Sequence, residues 1–293
     1  MLKRLFLICT LLLLSGFNGP TIPDPMLISD LTIANQAPFL GTLATGSPRN
    51  IVINPAQKTL VLLVAGQSNW TNIIPTLYTP TNSSAISQLN IYDGAFYPIT
   101  TDVLGSSYYQ GSFGPGNISV RVADLLVTNG SFNNVIIVNF AIGSTSMAQW
   151  VTPQFTNRFT VAMLRLAAQN ITPATTGVTF GLIWGQGETD NTLGTSQASY
   201  TAGLNTVLSA ATTAGFSGRF FICKETWIFG SVSAAVQAAQ TGIVNGTTIF
   251  SGGDLDSLNA TNRQADNTHF NDTGAAAAAT LVYNAMHASG APF

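Results

Sequence analysis

Charge is what this chain has least of. Only 8% of its 293 residues are Asp, Glu, Lys or Arg, against roughly 25% in an ordinary soluble domain. A folded surface must therefore be covered by Ser, Thr, Asn, Gln and Gly. There is no block of Lys or Arg, and the net charge is −2. Affinity built on neutralising phosphates is excluded, so nucleic acid is not an expected partner. Cys9 and Cys223 are the only cysteines, too few for a disulfide framework or a Cys-rich zinc site. Histidine is limited to His269 and His287, and glutamate to Glu188 and Glu225. No apolar run reaches the ~20 residues of a membrane-spanning helix. What the chain does have is apolar content, 46% of residues. In a chain of this length that is enough for a large core and excludes a wholly disordered polypeptide.

Residues 1–16, MLKRLFLICTLLLLSG, read as an export signal. Lys3 and Arg4 form a basic start, and Leu5 to Leu14 form an apolar stretch too short to span a bilayer. Small residues at Ser15, Gly16 and Gly19 place a cut near residue 19. The alternatives are a buried N-terminal helix and an uncleaved anchor. Export implies a secreted or periplasmic protein with no membrane association beyond the signal. It leaves Cys223 alone, without an intrachain disulfide. Residues 20–57, rich in Pro, Asn and Thr, are expected to form an extension packed on a main unit over 58–293.

That main unit alternates apolar runs with helical patterns. Leu60 to Ala65, Val135 to Phe140, Val178 to Trp184 and Phe220 to Cys223 are continuous apolar stretches, and Thr248 to Phe250 is a weaker fifth. Such runs suit strands covered on both faces. Helices are expected over 118–127, 158–168, 196–214, 231–244 and 272–288, the last opened by an Asn-Asp-Thr cap. This order predicts an α/β fold: a three-layer α/β/α sandwich around a mainly parallel, five-stranded sheet. Ligands of such sheets bind at the carboxyl ends of the strands.

Polar segments follow those strand ends. Gly66-Gln67-Ser68-Asn69 follows the first strand, and Gly185-Gln186-Gly187-Glu188-Thr189-Asp190 follows the third. Near the C-terminus stands Asp266-Asn267-Thr268-His269-Phe270. Taken singly, Ser68 is a turn residue or a nucleophile, and Trp70 at the end of GQSNW departs from the G-x-S-x-G elbow. A lone histidine is more often structural, and His287 reads as a helix-terminal cation. His269 differs, because Asp266 three residues earlier can hold its Nδ1 proton and leave Nε2 as a base. Glu188, between glycine and polar residues at a strand end, suggests a site. Gly114-Pro115-Gly116 lacks the preceding strand and last glycine of a dinucleotide motif. Asp254-Leu255-Asp256 lacks the glycine and glutamate of a calcium loop.

Taken together, GQSN at 66–69, QGETD at 186–190 and DNTHF at 266–270 resemble the SGNH (GDSL-like) hydrolases. The resemblance is to the branch of sialate O-acetylesterase-like and related carbohydrate acetylesterases. Gly114 to Leu126 and Ala141 to Trp150 look like the same branch, and the likeness runs from about residue 60 to 286. It implies a flavodoxin-like sandwich and a serine esterase that removes O-acetyl groups from carbohydrate, with no metal or cofactor. By motif, Ser68 is similar to the nucleophile, His269 to the general base and Asp266 to its orienting acid. The oxyanion donors it implies are the N–H of Ser68, the side-chain amide of Gln186 and a glycine N–H. That glycine is Gly116 by its place before a helix, or Gly114 as second choice, because the branch's G-P-E reads G-P-G here. Glu188, with Asn69 and Gln67, resembles the support of the nucleophile loop. Trp150 is either a sugar-facing wall or core packing. The partner implied is an acetylated glycan. A non-catalytic glycan-binding or structural envelope or virion module on the same fold is the alternative function, and transacetylation a further one.

Overall fold

The computed structural model describes residues 46–99, 102–106 and 114–293. The segment read as an export signal, and the expected extension as far as residue 45, lie outside the described residues. Seven strands form one sheet in the order β3-β2-β4-β1-β5-β6-β7. They are β1 (Thr59–Gly66), β2 (Ile86–Leu89), β3 (Phe96–Pro98), β4 (Asn134–Asn139), β5 (Val178–Gly185), β6 (Arg219–Lys224) and β7 (Ile249–Asp254). All neighbouring pairs are parallel except β2 with β3.

The sheet thus has seven strands where the apolar runs indicate five. The two extra strands are short. β2 reads ISQL and β3 reads FYP. Three or four residues carry too little periodicity to register as strands. Pro98 is accommodated because β3 is an edge, where a missing N–H breaks no inner ladder.

The continuous apolar run of β1 follows from its central position, with β4 on one side and β5 on the other. All eight of its residues are buried. Val61, Leu63 and Ala65 face one core, and Leu60, Leu62 and Val64 the other. On the first face pack α2 (Met147–Trp150), α3 (Pro153–Ala168), α5 (Gln197–Thr213) and α6 (Ala234–Gly242). On the second pack α1 (Ile118–Thr128) and α7 (Asp272–Ala288). The short α4 (Glu188–Leu193) caps the end of β5. The result is the three-layer α/β/α sandwich that the alternating pattern predicts.

Local sequence sets the helix starts. Asn117 caps α1 by accepting the Ser119 N–H at 2.9 Å, and Asn271 caps α7 by accepting the Gly274 N–H at 2.8 Å. Pro153 opens α3, where its missing N–H is no loss. Ala275, Ala278 and Ala279 let α7 lie close on its layer. The described end of the extension lies against the sheet: the Arg49 N–H donates to the Phe96 carbonyl at 2.8 Å, and Ile51 and Ile53 pack on the first core.

The chain runs from β1 toward β2 on one side of the sheet and from β5 toward β6 on the other. The connections leaving the carboxyl ends of β1 and β5 therefore diverge, although the strands themselves stay paired to Gly66 and Gly185. In open α/β sheets this is where a crevice forms for ligands.

Candidate active site

Ser68 stands at that divergence. Gly66 ends β1 with φ +138°, and a Cβ there would lie 1.9 Å from the Gly185 carbonyl oxygen. Only glycine lets the two strand ends touch. A single 3-10 turn, Ser68–Trp70, follows at once. The Ser68 side chain is buried, and no acceptor among the described residues takes its backbone N–H.

The segment before α7 supplies the partners. His269 Nε2 lies 2.9 Å from Ser68 Oγ, and His269 Nδ1 lies 2.5 Å from Asp266 Oδ2. The other Asp266 oxygen accepts the backbone N–H groups of Thr268 at 2.9 Å and His269 at 3.0 Å. Burial alone would raise the Asp266 carboxyl. The hydrogen bonds from the His269 ring and from these two N–H groups outweigh it and hold the carboxyl below its ordinary value. It is therefore a standing anion beside Nδ1. The three side chains brought together are those of the GQSN and DNTHF motifs, 201 residues apart for the Ser–His contact.

Beneath Ser68 the loop is bolted down from two sides. Asn69 Nδ2 donates to Glu188 Oε1 at 2.9 Å, and Asn69 Oδ1 accepts the Phe270 N–H at 3.0 Å. One amide thus links the Ser68 turn both to the end of β5 and to the residue after His269. Trp70 Nε1 donates to Glu225 Oε2 at 2.8 Å. Gly185 makes room for that indole, since a Cβ there would lie 1.7 Å from Trp70 Nε1. The chain's two glutamates are both fully buried under the loop. Desolvation pushes both carboxyls up, Glu188 well above the usual range with Glu225 as a further repulsive neighbour, and Glu225 to about 7. Glu188 and Asn69 thus meet each other directly beneath the Ser68 turn. Gln67 Oε1 faces Gln186 Nε2 at 3.1 Å and the Thr189 N–H at 3.3 Å.

Gln186 and Gly116 take other places than the resemblance implies. The Gln186 amide nitrogen has the Thr145 carbonyl at 2.9 Å, Asp190 Oδ2 at 2.6 Å and Gln67 Oε1 at 3.1 Å. Its two N–H groups are spent on protein acceptors, so the side chain is a strut between loops and not a donor facing Ser68. The Gly116 N–H is likewise spent, on the Ile74 carbonyl at 3.0 Å, in a short antiparallel bridge. Gly114, the second choice, packs its backbone against the carbonyls of Ile73 and Ile74. Trp150 is core and not a wall. It is fully buried, its ring lies 5.0 Å from that of Trp184 and 5.4 Å from that of Phe155, and its Nε1 donates to Thr145 Oγ1 at 2.9 Å. His287 lies in the last turn of α7, stacked on Tyr283 at 5.9 Å.

Other residues of the site carry no signal in the short motifs. Arg263 is buried with its guanidinium 3.8 Å from the centre of the Phe270 ring. It donates to the carbonyls of Leu255 at 3.0 Å and Thr268 at 2.9 Å, which clamps the His269 segment. Nothing in its neighbourhood in sequence marks it. Glu225 could have been found by rarity alone, as the second of two glutamates in a chain nearly devoid of them. Gly143 follows β4; the preceding Ile142 N–H is held by the Gly66 carbonyl at 2.9 Å. Its own N–H has no acceptor among the described residues.

Comparison with known proteins agrees with this picture. Residues 58–287 match the family model described as carbohydrate esterase, sialic acid-specific acetylesterase. A solved structure from Arabidopsis thaliana superposes with a TM-score of 0.59 at 15% identity, covering 78% of this chain and 98% of that one. The structure of NanS superposes with a TM-score of 0.50 at 17% identity, covering 81% of this chain and 98% of that one. At these identities the likeness is one of fold. No curated protein matches the chain in sequence.

Proposed function

The chain belongs to the carbohydrate esterase, sialic acid-specific acetylesterase family, and from that premise we propose that it removes O-acetyl groups from carbohydrate through Ser68, His269 and Asp266. The observation that carries the proposal is the continuous chain of contacts from Ser68 Oγ to His269 Nε2 at 2.9 Å and from Nδ1 to Asp266 Oδ2 at 2.5 Å. A hydroxyl becomes a nucleophile when a positioned base takes its proton as it attacks. The imidazole can do so only while neutral, with the Asp266 anion holding Nδ1–H and turning Nε2 toward the serine.

In the first step Ser68 Oγ bonds to the acetyl carbonyl carbon as Nε2 accepts its proton. The carbonyl oxygen becomes an oxyanion. The backbone N–H of Ser68, and that of Gly143, whose neighbour Ile142 is bonded to Gly66, are our choice of donors, because neither has a protein acceptor among the described residues. One such donor supplies roughly 3–4 kcal/mol of transition-state stabilisation. The imidazolium then gives its proton to the departing sugar oxygen, and the C–O bond to the sugar breaks. Water, deprotonated by the same Nε2, attacks the acyl-enzyme and releases acetate. We further propose, from the first 16 residues, that this chemistry takes place outside the cytoplasm.

The test is acetate release from acetylated glycans by wild type and by Ser68→Ala. A loss of at least about 10³-fold in kcat is expected for the variant. Full turnover by Ser68→Ala would overturn the assignment. Glycan binding without acetate release by the wild type would favour a non-catalytic module.

A further inference from the structure

Of the four non-glycine residues with left-handed backbone among the described residues, three lie in loops at the carboxyl end of the sheet: Ser144, Phe229 and Asn267, with φ of 59°, 50° and 52°. Asparagine takes this conformation readily, since its short polar side chain bonds locally. A bulky aromatic does not, and Phe229 is a strained position. It shares a two-residue turn with Gly230, closed by the Ile228 N–H on the Ser231 carbonyl at 2.9 Å and the Ser231 N–H on the Ile228 carbonyl at 3.0 Å. Both central residues have positive φ, the turn class in which Asn-Gly is preferred. Burial does not compensate the strain. Phe229 is 72% exposed, and among the described residues it is the one aromatic in the set of exposed large apolar side chains.

The turn is joined directly to the segment that carries the base. The Phe229 N–H donates to Thr268 Oγ1 at 3.1 Å, and Trp227 Nε1 donates to the Asn267 carbonyl at 3.0 Å. His269 is the next residue. On the other side, Asn191 Nδ2 reaches the carbonyls of Thr226 at 2.9 Å and Ser231 at 3.1 Å, which holds the end of α4 on the same turn. Leu193 and Val232 stand exposed beside these contacts. An exposed ring on a strained backbone is thus carried by a turn whose hydrogen bonds tie it to the residue before His269.

We propose that Phe229 is a substrate-docking residue whose ring takes the C–H face of the pyranose bearing the acetyl ester. Ser68 is buried at the strand ends, so an acetyl group bound there leaves its sugar toward the surface, on the side where the turn is tied to the His269 segment. A pyranose presents a flat set of C–H groups, which an aromatic face covers without needing charge, and charge is scarce in this chain. The residue so placed selects ring-bearing esters over small ones and leaves the acyl chemistry untouched. This proposal rests on the esterase reading above.

The test compares wild type, Phe229→Asn and Phe229→Tyr on glucose pentaacetate and on ethyl acetate, whose leaving group is too small to reach the turn. Asparagine suits the turn, so Phe229→Asn is expected to unfold at no lower temperature than wild type. Its kcat/KM on glucose pentaacetate is expected to fall about tenfold, through KM, the size of one lost aromatic stack with its burial. Its kcat/KM on ethyl acetate should stay within twofold, and Phe229→Tyr should restore the sugar ester. An equal loss on both esters, or no loss on either, overturns the proposal. Should wild type hydrolyse neither ester, the esterase reading fails separately. Titration of glucose pentaacetate into Ser68→Ala, with and without Phe229→Asn, then decides the docking role. A Kd raised about tenfold supports it and an unchanged Kd or no binding overturns it.

Discussion

Replacing Asn69 by alanine removes a buried side chain that, beside the Ser68–His269 contact, ties the nucleophile turn to the histidine segment. Asn69 is fully buried and makes two bonds at good length, 2.9 Å to Glu188 Oε1 and 3.0 Å from the Phe270 N–H. The substitution leaves the Phe270 N–H and a Glu188 oxygen without those partners in a site closed to solvent. Each orphaned buried group costs about 1–3 kcal/mol, less whatever a water entering the vacated space recovers. The expected loss of stability is therefore about 2–5 kcal/mol. A second effect falls on rate. Phe270 adjoins His269, so a freed backbone at 270 lets Nε2 drift from Ser68 Oγ, and a displacement of about 1 Å lowers turnover about 10²-fold. Urea unfolding measures the first quantity, provided the m-value is unchanged. Single-substrate kinetics on p-nitrophenyl acetate measure the second. A loss under about 0.5 kcal/mol together with kcat/KM within twofold of wild type would refute the reasoning. The amide would then be shown not to join the two segments.

Two further outcomes follow from the same site. Glu225 has its carboxyl raised from 4.5 to about 7 by burial, so the folded state holds a proton that the unfolded chain releases. Stability from this group is present below about pH 4.5 and is lost as pH rises toward about 7. Glu225→Gln is expected to flatten the decline in urea midpoint between those values, and an unchanged slope would count against it. Gln186→Met leaves the Thr145 carbonyl without its donor and takes one donor each from Asp190 Oδ2, which keeps the Met147 N–H, and Gln67 Oε1, which keeps the Thr189 N–H. It should lower the melting temperature while kcat changes by less than about tenfold. A 10²–10³-fold loss in kcat at an unchanged melting temperature would instead restore Gln186 as an oxyanion donor.

Much of this protein was legible without coordinates, and the reasons are local. The run at 60–65 reads as a two-sided strand because every residue of β1 is buried, alternately on one core and the other. The helix 272–288 is found to the residue because Asn271 caps it and Gly290 with Pro292 follows its end. Asp266 and His269 could be paired because they stand three positions apart, and Ser68 could be named because it follows a strand end. The short edge strands β2 and β3 escape such reading, since their pairing partners are supplied by β4 and by each other.

Where each polar group is aimed was decided only by the tertiary structure. The sequence offers Gln186 and Gly116 as donors, but whether an N–H is available depends on which carbonyl the fold brings opposite it. For both, that carbonyl is protein. Trp150 looked equally suited to a wall or a core until the layer of α2 and α3 closed over it. Glu225 and Phe229 lie far from any motif, and long-range packing sets them under and beside Ser68 and His269; Arg263, three positions before Asp266, is held behind them by bonds to the Leu255, Leu258 and Thr268 carbonyls. Residue type and spacing fix what chemistry a chain carries, because propensity and reactivity are local; which groups meet, and which are already spent, is a property of contacts between residues up to 201 positions apart.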